Sequence, residues 1–225
     1  AAFALERAGA TPEIVPLMAL ADRPHLLADA GLLMFAGGFS FADSLGAGKV
    51  WALELTYRVG DAVRAHVDRG RPVIGVCNGF QILLEAGLLP GAMLRNRSLH
   101  FVCKDVYVRV ENAATAFTGA CEPQQVLKIP VAHADGNYYT DPVTLAAMQA
   151  NAQIVLRYCT PDGKVTPEAN PNGSLDNIAG IINPEGNVLG MMPHPERCAE
   201  DVLGNRDGRL IFESVFKAMK VKVGA

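Results

Sequence analysis

Residues 72–79 read PVIGVCNG, a β-branched run that ends in a cysteine between two glycines. The run Pro72–Val76 predicts a short buried strand, and Phe80–Glu85 opens a helix directly after it. A cysteine on a tight strand-to-helix turn is typical of a nucleophile elbow, whose strained backbone requires small residues two positions before and after the nucleophile. The stretch therefore predicts an α/β fold and makes Cys77 a candidate nucleophile.

The position of Cys77 at the start of a helix also predicts its chemistry. The helix macrodipole and the free N–H groups there favour the thiolate, and the Asn78 N–H points at the oxygen of a tetrahedral intermediate. The same pattern fits a buried structural cysteine, because most free cysteines are small apolar core residues. The pattern by itself leaves both interpretations open.

Apolar runs alternate with helical patterns on either side of this turn. We expect a helix at Ala1–Gly9, strands at Glu13–Leu17 and Leu32–Ala36, and a long helix from Trp51 to Val67. This alternation predicts a three-layer α/β fold, with a mostly parallel sheet flanked by helices.

The second half of the chain has a different pattern. Period-two alternation predicts strands at Phe101–Val110 and Val126–Val131. A hairpin is expected from Ile178–Ile182 and Val188–Met192. The remaining expected elements are a helix at Asp141–Asn151, a strand at Gln153–Tyr158, an exposed loop at Thr160–Ser174 and a closing helix at Asp207–Lys220.

Composition disfavours several classes of protein. The 225 residues carry a net charge of −3 and no polybasic run, which gives no case for nucleic-acid binding. Apolar runs are too short to cross a bilayer, and no signal peptide opens the sequence, so a cytoplasmic location is expected. The cysteines include no CxxC pair, which disfavours a disulfide framework or a zinc site. Beside Cys77, we expect four of them to be structural: Cys103, Cys121, Cys159 and Cys198.

A second motif, Pro193-His194-Pro195-Glu196, follows the apolar run at 188–192. The prolines on both sides keep the histidine out of a helix. In an extended segment, residues two apart face the same side, so Glu196 can orient the His194 imidazole toward a thiol. Alone, the motif fits a solvated loop. Beside an elbow cysteine in an α/β chain, it favours a triad.

Gly37 and Gly38 close the strand predicted at 32–36. A simple turn explains adjacent glycines after a strand. The alternative is that this loop supplies a second oxyanion N–H, as loops beside a nucleophile elbow do.

In these motifs the chain resembles class I (triad-type, flavodoxin-like) glutamine amidotransferase domains, and among them the glutaminase subunits of phosphoribosylformylglycinamidine synthase. The Asn-Gly-Phe-Gln sequence after Cys77 separates these subunits from other members, which tend to carry Leu-Gly-His-Gln there. The similar segments run in the family's order over nearly the whole chain: Gly37–Ser40, Gly75–Leu83, Asn96–Phe101, Val108–Asn112, Ile129–His133, Asn172–Ser174, Ile178–Ile181 and Met192–Arg197.

The resemblance implies a role for each candidate residue. The implied catalytic set is Cys77, His194 and Glu196. The N–H groups implied in the oxyanion hole are those of Gly38 and Asn78. The residues implied at the glutamine site are Gln81, His133 and Gly37, with His133 in the pocket wall rather than in catalysis. The resemblance implies no metal and no organic cofactor.

The implied reaction is hydrolysis of L-glutamine to glutamate and ammonia. By resemblance, the ammonia passes to a large ATP-using synthase subunit, which converts phosphoribosylformylglycinamide to the amidine in de novo purine (IMP) biosynthesis. A small bridging subunit belongs to the same complex. Neither nucleic acid nor a membrane is an expected partner.

Two features depart from the family's pattern. Residues 134–137 read Ala-Asp-Gly-Asn where the family has Gly-Glu-Gly-Arg or close to it, which loses a cation at Asn137. The family also has a strand and a Pro-Gly-Ser-Asn-type turn before the helix that matches Ala1–Gly9, and that strand is an interior one. We therefore expect residues 1–225 to form a single glutamine amidotransferase domain that lacks its first strand and is poorly stable.

Three other functions stay open from the sequence. A different class I glutamine amidotransferase subunit would share the glutaminase chemistry and differ in its acceptor protein. A cysteine hydrolase or chaperone with a similar elbow has no reason to carry the His-Pro-Glu segment or Gln81. A catalytically inactive scaffold subunit is disfavoured by the intact Cys77, His194 and Glu196.

Overall fold

The structure, a computed structural model, describes residues 1–223 and the side chains of residues 1–220. Its helices are α1 (Ala2–Arg7), α2 (Leu17–Asp22), α3 (His25–Asp29), α4 (Lys49–Asp68), α5 (Asn78–Glu85), α6 (Pro142–Ala150) and α7 (Arg209–Val223). Its strands are β1 (Leu33–Phe35), β2 (Val73–Val76), β3 (Ala92–Leu94), β4 (Val102–Val110), β5 (Val126–His133), β6 (Asn137–Tyr139), β7 (Ile154–Cys159), β8 (Ile178–Ile182) and β9 (Val188–Met191). Within this part of the chain, no helix is both long and apolar enough to span a bilayer.

Seven strands form one sheet in the order β1-β2-β9-β8-β7-β4-β5, while β3 pairs with β6 separately. The predicted α/β class with flanking helices is confirmed. However, the sheet is mixed rather than mostly parallel. Only the β1–β2 and β2–β9 pairs are parallel, and the other four pairs of the sheet are antiparallel. The reason is that the second half contains hairpin connections such as β8–β9, which join antiparallel neighbours.

The parallel part of the sheet carries the candidate site. Every residue of β2 and β9 is buried, as expected of strands covered on both faces. Helix α5 packs on both strands and approaches β9 closely. A Cβ at Gly190 would lie 2.0 Å from the Phe80 ring, so only a glycine lets this helix lie so near the strand. This packing fixes the start of α5, where Cys77 lies.

One predicted strand is wrong. Residues 13–16 have no regular secondary structure and pair with no strand, and Leu17 already begins α2. Pro12 and Pro16 lack the N–H that a strand ladder needs, and Pro16 is the N-cap of the helix. Ile14 is 82% exposed, so the apolar pair at 14–15 is not a core strand.

The prediction that Thr160–Ser174 is an exposed loop also needs correction. Its first part is exposed, but Asn172 and Ser174 are among the most buried polar residues, at 1% and 3% exposure. Asn170 closes the end of the loop, since its Oδ1 accepts from the Gly173 N–H at 2.8 Å and its Nδ2 donates to the Ser174 carbonyl at 2.7 Å. This closure turns the side chain of Asn172 inward.

Strand β1 lies at the edge of the sheet, beside a cavity of about 1090 Å³ that residues 9–15 and 29–40 help to line. The expected absence of an interior strand before α1 stays a prediction.

Candidate active site

Cys77 occupies a strained strand-to-helix turn between β2 and α5. Its backbone angles are φ 52° and ψ −108°, in a region that residues with a Cβ rarely adopt. A Cβ at Gly75 would lie 2.5 Å from Leu83, and one at Gly79 would lie 1.9 Å from the Phe35 carbonyl oxygen. The elbow therefore requires both glycines, as the sequence pattern predicts.

The resting protonation state of Cys77 differs from the expectation. The side chain is 4% exposed, and burial raises its pKa to about 12, although the Asn78 N–H lowers it in part. Desolvation outweighs the helix dipole, so the resting group is a thiol rather than a thiolate. The thiol donates to the Ala132 carbonyl, with Sγ 3.6 Å from the oxygen. A base must therefore remove this proton during the reaction.

His194 and Glu196 form a hydrogen-bonded acid–base pair. The His194 Nδ1 lies 2.6 Å from Glu196 Oε1, and both side chains are largely buried. Burial raises the pKa of Glu196, but the hydrogen bond from His194 and the charge of His194 outweigh this and hold the pKa below its ordinary value. Glu196 is therefore ionised near neutral pH and accepts from Nδ1–H, which leaves Nε2 as the basic nitrogen.

The other nitrogen of His194 is available. Its Nε2 is buried and has no hydrogen-bond partner among the described residues. Gly37 lies between this ring and the nucleophile, because a Cβ there would be 2.7 Å from His194 Cε1 and 3.4 Å from Cys77 Cβ. The structure thus brings Cys77, His194 and Glu196 together around Gly37.

The two candidate oxyanion donors belong to different segments of the chain. Asn78 is the first residue of α5, and its N–H is close enough to the Cys77 sulfur to lower the pKa of the thiol. Gly38 lies on the loop after β1, and no heavy atom outside residues 37–39 lies within 4 Å of where its Cβ would be. The backbone at Gly38 is therefore open to a ligand, as an oxyanion site requires.

Both polar ends of the Gln81 side chain are hydrogen-bonded within the protein. Its Oε1 accepts from Asn78 Nδ2 at 2.8 Å, and its Nε2 donates to the Asp135 carbonyl at 2.6 Å. The side chain is 4% exposed. Gln81 therefore forms part of the wall beside Cys77, joined to the loop that follows β5.

His133 lies in the same wall and is neutral. Burial and the nearby His194 lower its pKa to about 4. Its Nδ1 lies 3.1 Å from Asn96 Oδ1, and its Nε2 lies 3.4 Å from Asn172 Nδ2. Asn96 donates to two carbonyls, so its oxygen must face Nδ1, which carries the proton. Both ring nitrogens are occupied, which fits a wall residue rather than an acid–base group.

The sequence did not single out Asn96, Asn172 or Tyr158. Asn172 Nδ2 also donates to the Tyr158 hydroxyl at 3.2 Å, so the three residues hold His133 from two sides. The segments around Asn96 and Asn172 were noted only because they are similar to the family's sequence. A buried role for an asparagine in a loop has no periodic signal in a single sequence.

Comparison with known proteins gives the class to which this site belongs. The family model of the CobB/CobQ-like glutamine amidotransferase domain matches residues 1–211. The chain therefore belongs to this family of glutamine amidotransferases.

Individual relatives define the branch of the family. The chain is 57% identical to phosphoribosylformylglycinamidine synthase subunit PurQ of Moorella thermoacetica over 183 residues, which are 81% of this chain and 76% of that protein. It is 53% identical to the PurQ subunit of Salinibacter ruber over 195 residues, covering 87% and 82% of the two chains. The chain is a member of this PurQ family over most of its length.

A solved structure agrees with this membership. A chain in the structure of PurLQS from Thermotoga maritima is 39% identical and superimposes with a TM-score of 0.80, covering 97% of this chain and 91% of that one. The fold is therefore shared with this chain of PurLQS over nearly the whole length of both.

Proposed function

We propose that this chain hydrolyses L-glutamine to glutamate and ammonia, as the glutaminase subunit of phosphoribosylformylglycinamidine synthase. The observation that carries the proposal is the convergence of Cys77 and the His194 ring on Gly37, with the His194 Nε2 buried and unpartnered and its Nδ1 held by Glu196 at 2.6 Å. A nucleophile, a base and an orienting carboxylate in this arrangement support acyl transfer through a covalent intermediate.

The first half of the reaction forms a thioester. His194 Nε2 removes the proton from the Cys77 thiol as the sulfur attacks the side-chain carbonyl carbon of glutamine. The N–H groups of Asn78 and Gly38 stabilise the resulting oxyanion, and each such donor is typically worth about 3 kcal/mol in the transition state. His194 then gives the proton to the leaving nitrogen, the C–N bond breaks, and ammonia departs from a γ-glutamyl thioester.

The second half restores the enzyme. His194 takes a proton from water, and the hydroxyl oxygen attacks the thioester carbonyl. The C–S bond breaks, glutamate leaves, and the proton returns to the Cys77 sulfur. Glu196 stays ionised throughout, keeps the imidazole oriented and stabilises its charged form. These steps need no metal or organic cofactor.

The glutamine pocket is bounded by the wall residues around Cys77. Gly37 lets the His194 ring and Cys77 lie close to this side of the pocket, since a side chain there would clash with the imidazole. Gln81 and His133 form another wall: Gln81 donates to the Asp135 carbonyl, and the His133 ring packs against Gly136. His133 acts by shape and hydrogen bonding, because its low pKa leaves it neutral at neutral pH.

An exposed aromatic pair beside the site favours a protein partner. Phe39 and Phe101 are 58% and 51% exposed, and their ring centroids lie 6.0 Å apart. Exposed apolar groups beside a catalytic site are typical of a surface that another protein covers. We infer that the large ATP-using subunit covers this face, receives the ammonia and, with a small bridging subunit, forms the amidine in the cytoplasm.

The test measures glutamine-dependent ammonia release for the chain and for Cys77→Ala, with and without the two partner subunits of a PurQ relative. Release that requires Cys77 and increases with these partners supports the proposal. Release that requires Cys77 but is unaffected by them favours another class I glutamine amidotransferase. No release with glutamine and both partners, from a chain that binds them, favours the inactive scaffold and contradicts the proposal.

A further inference from the structure

Asn78 follows the nucleophile, and its side chain is 2% exposed. Its Oδ1 accepts from the Ser40 N–H at 3.2 Å, and its Nδ2 donates to Gln81 Oε1 at 2.8 Å. Gln81 in turn donates to the Asp135 carbonyl at 2.6 Å. Two amide side chains on one turn of α5 therefore connect the loop after β1 with the loop after β5. We call the Ser40–Asn78–Gln81–Asp135 chain of hydrogen bonds the amide relay.

The direction of the amide relay is fixed by its two ends. A backbone N–H, which can only donate, stands at Ser40, and a carbonyl, which can only accept, stands at Asp135. Asn78 must therefore turn its oxygen to Ser40 and its NH₂ to Gln81, and Gln81 must follow the same direction. A reversal of either amide would place two donors or two acceptors face to face, at a buried site where neither finds another partner.

The amide relay joins the two walls of the candidate site. Ser40 lies two residues after Gly38, which is a candidate oxyanion donor, and Asp135 lies two residues after His133, in the opposite wall. Neither segment belongs to a strand: Ser40 begins a short 3-10 helix, and Asp135 lies in the loop after β5. Their separation therefore depends on side-chain contacts of this kind rather than on a strand ladder. A shift of one loop relative to the other would move the oxyanion donor away from the reacting carbonyl.

We propose that Asn78 and Gln81 are positioning residues that act as a pair, and that their directed hydrogen bonds set the separation between the Gly38 loop and the Asp135 loop for catalysis. The proposal rests on the proposed glutaminase function. It assigns to the Asn78 side chain a task separate from that of its backbone N–H. It also gives Gln81 a role that does not depend on direct contact with the substrate.

Gln81→Glu tests the direction of the amide relay. When ionised, the introduced carboxylate accepts from Asn78 but places its second oxygen against the Asp135 carbonyl, so that contact is lost. When protonated, the introduced carboxyl donates to this carbonyl and restores the relay. At saturating glutamine, we expect kcat of Gln81→Glu to fall about 10- to 100-fold below the parent at pH 8 and to recover toward it at pH 5.5. Asn78→Asp should behave in the same way.

Gln81→Met is the matched control, because it keeps the length of the side chain but cannot titrate. Its activity relative to the parent should be low and independent of pH. The other charged or titratable groups of the site are common to parent and variants, so Gln81→Met shows any pH dependence that arises from them without an introduced carboxylate: Cys77, Asp43, Lys49, Glu85, Arg95, Asp135, His133, His194 and Glu196. Circular dichroism at both pH values verifies that each variant is folded when assayed.

The activity ratio decides the proposal. A ratio for Gln81→Glu that rises as pH falls, with a flat ratio for Gln81→Met, supports the amide relay, whereas a flat ratio for both overturns it. A parent that does not hydrolyse glutamine contradicts the proposed function instead. In that case the relay is tested by another measurement, in which the rate of Cys77 alkylation by iodoacetamide in each variant is divided by the rate in the parent. Equal alkylation rates in parent and Gln81→Glu at both pH values overturn the relay, and a pH-dependent difference supports it.

Discussion

Substitution of Gly37 by alanine adds a single methyl group between Cys77 and His194, and so tests how closely the catalytic residues are packed. A Cβ at this position would lie 2.7 Å from His194 Cε1 and 3.3 Å from its Nδ1. The imidazole cannot simply turn away, because Glu196 holds it at 2.6 Å and the residue is 3% exposed. The added methyl therefore displaces the catalytic base.

The size of this displacement gives the expected effect. Non-bonded carbon atoms are attracted most strongly at about 3.5–4.0 Å, so the ring must move by about 1 Å. A misplacement of about 1 Å in a catalytic group costs roughly 100-fold in rate, which corresponds to about 2.7 kcal/mol of transition-state stabilisation. We expect kcat for glutamine hydrolysis to fall by about this factor in Gly37→Ala.

The assay is steady-state ammonia release with the partner subunits present. Gly60→Ala serves as the matched control. Gly60 lies inside α4, and its Cβ would approach other atoms no closer than 3.5 Å. The control should keep full activity and gain about 0.5–1 kcal/mol of stability. A Gly37→Ala variant with kcat within threefold of the parent would refute the placement of Gly37 against the catalytic histidine.

Three further substitutions have definite expected outcomes. Glu196→Gln should lower kcat by roughly 10³- to 10⁴-fold with little change in KM, because the amide can stabilise the wrong tautomer of His194; unchanged kcat would remove Glu196 from the triad. The folded-state pKa of His133 is about 4, below its ordinary 6.5. The folded chain then binds fewer protons than the unfolded chain between these values, so stability is full above pH 6.5 and falls by up to about 3 kcal/mol as pH drops to 4. Urea unfolding of His133→Gln at pH 7.5 and 4.5 should lack this loss, and an identical loss in the variant would count against a neutral buried His133. Gly79→Ala, whose Cβ would lie 1.9 Å from the Phe35 carbonyl oxygen, should cost about 3 kcal/mol or more, whereas near-parental stability in urea would show that the elbow can relax.

The local parts of this architecture could be predicted from the sequence. The elbow can be identified from five consecutive residues, because the strained backbone at Cys77 demands small residues at 75 and 79. Both glycines prove to be sterically required. The His-Pro-Glu segment indicated the correct pair, but the extended backbone expected through it is wrong. Pro195–Arg197 form a 3-10 helix that begins after His194, and the His194 Nδ1 still lies 2.6 Å from Glu196 Oε1. In each case the constraint acts within a few residues.

Properties that depend on distant contacts could not be read from the chain. The thiolate expected at a helix start gives way to a buried thiol, because the surroundings of Cys77 come from β5, β9 and the loop after β1. His133 is hydrogen-bonded by two asparagines that are distant in the sequence: Asn96 is 37 residues away from it, and Asn172 is 39 residues away. Glu13–Leu17 had a strand-like composition but two nearby prolines, whose missing N–H groups prevent a ladder.

The central claim is that Cys77 is the nucleophile of a glutaminase. The most direct measurement is mass spectrometry of the chain after it is quenched in acid during turnover of glutamine with the partner subunits. The intact mass detects an adduct, and the masses of its proteolytic peptides locate it. We expect a γ-glutamyl adduct on a peptide that contains Cys77 in the parent, and neither adduct nor ammonia release in Cys77→Ala. Ammonia release that continues in Cys77→Ala, or an adduct on another residue, would contradict the mechanism.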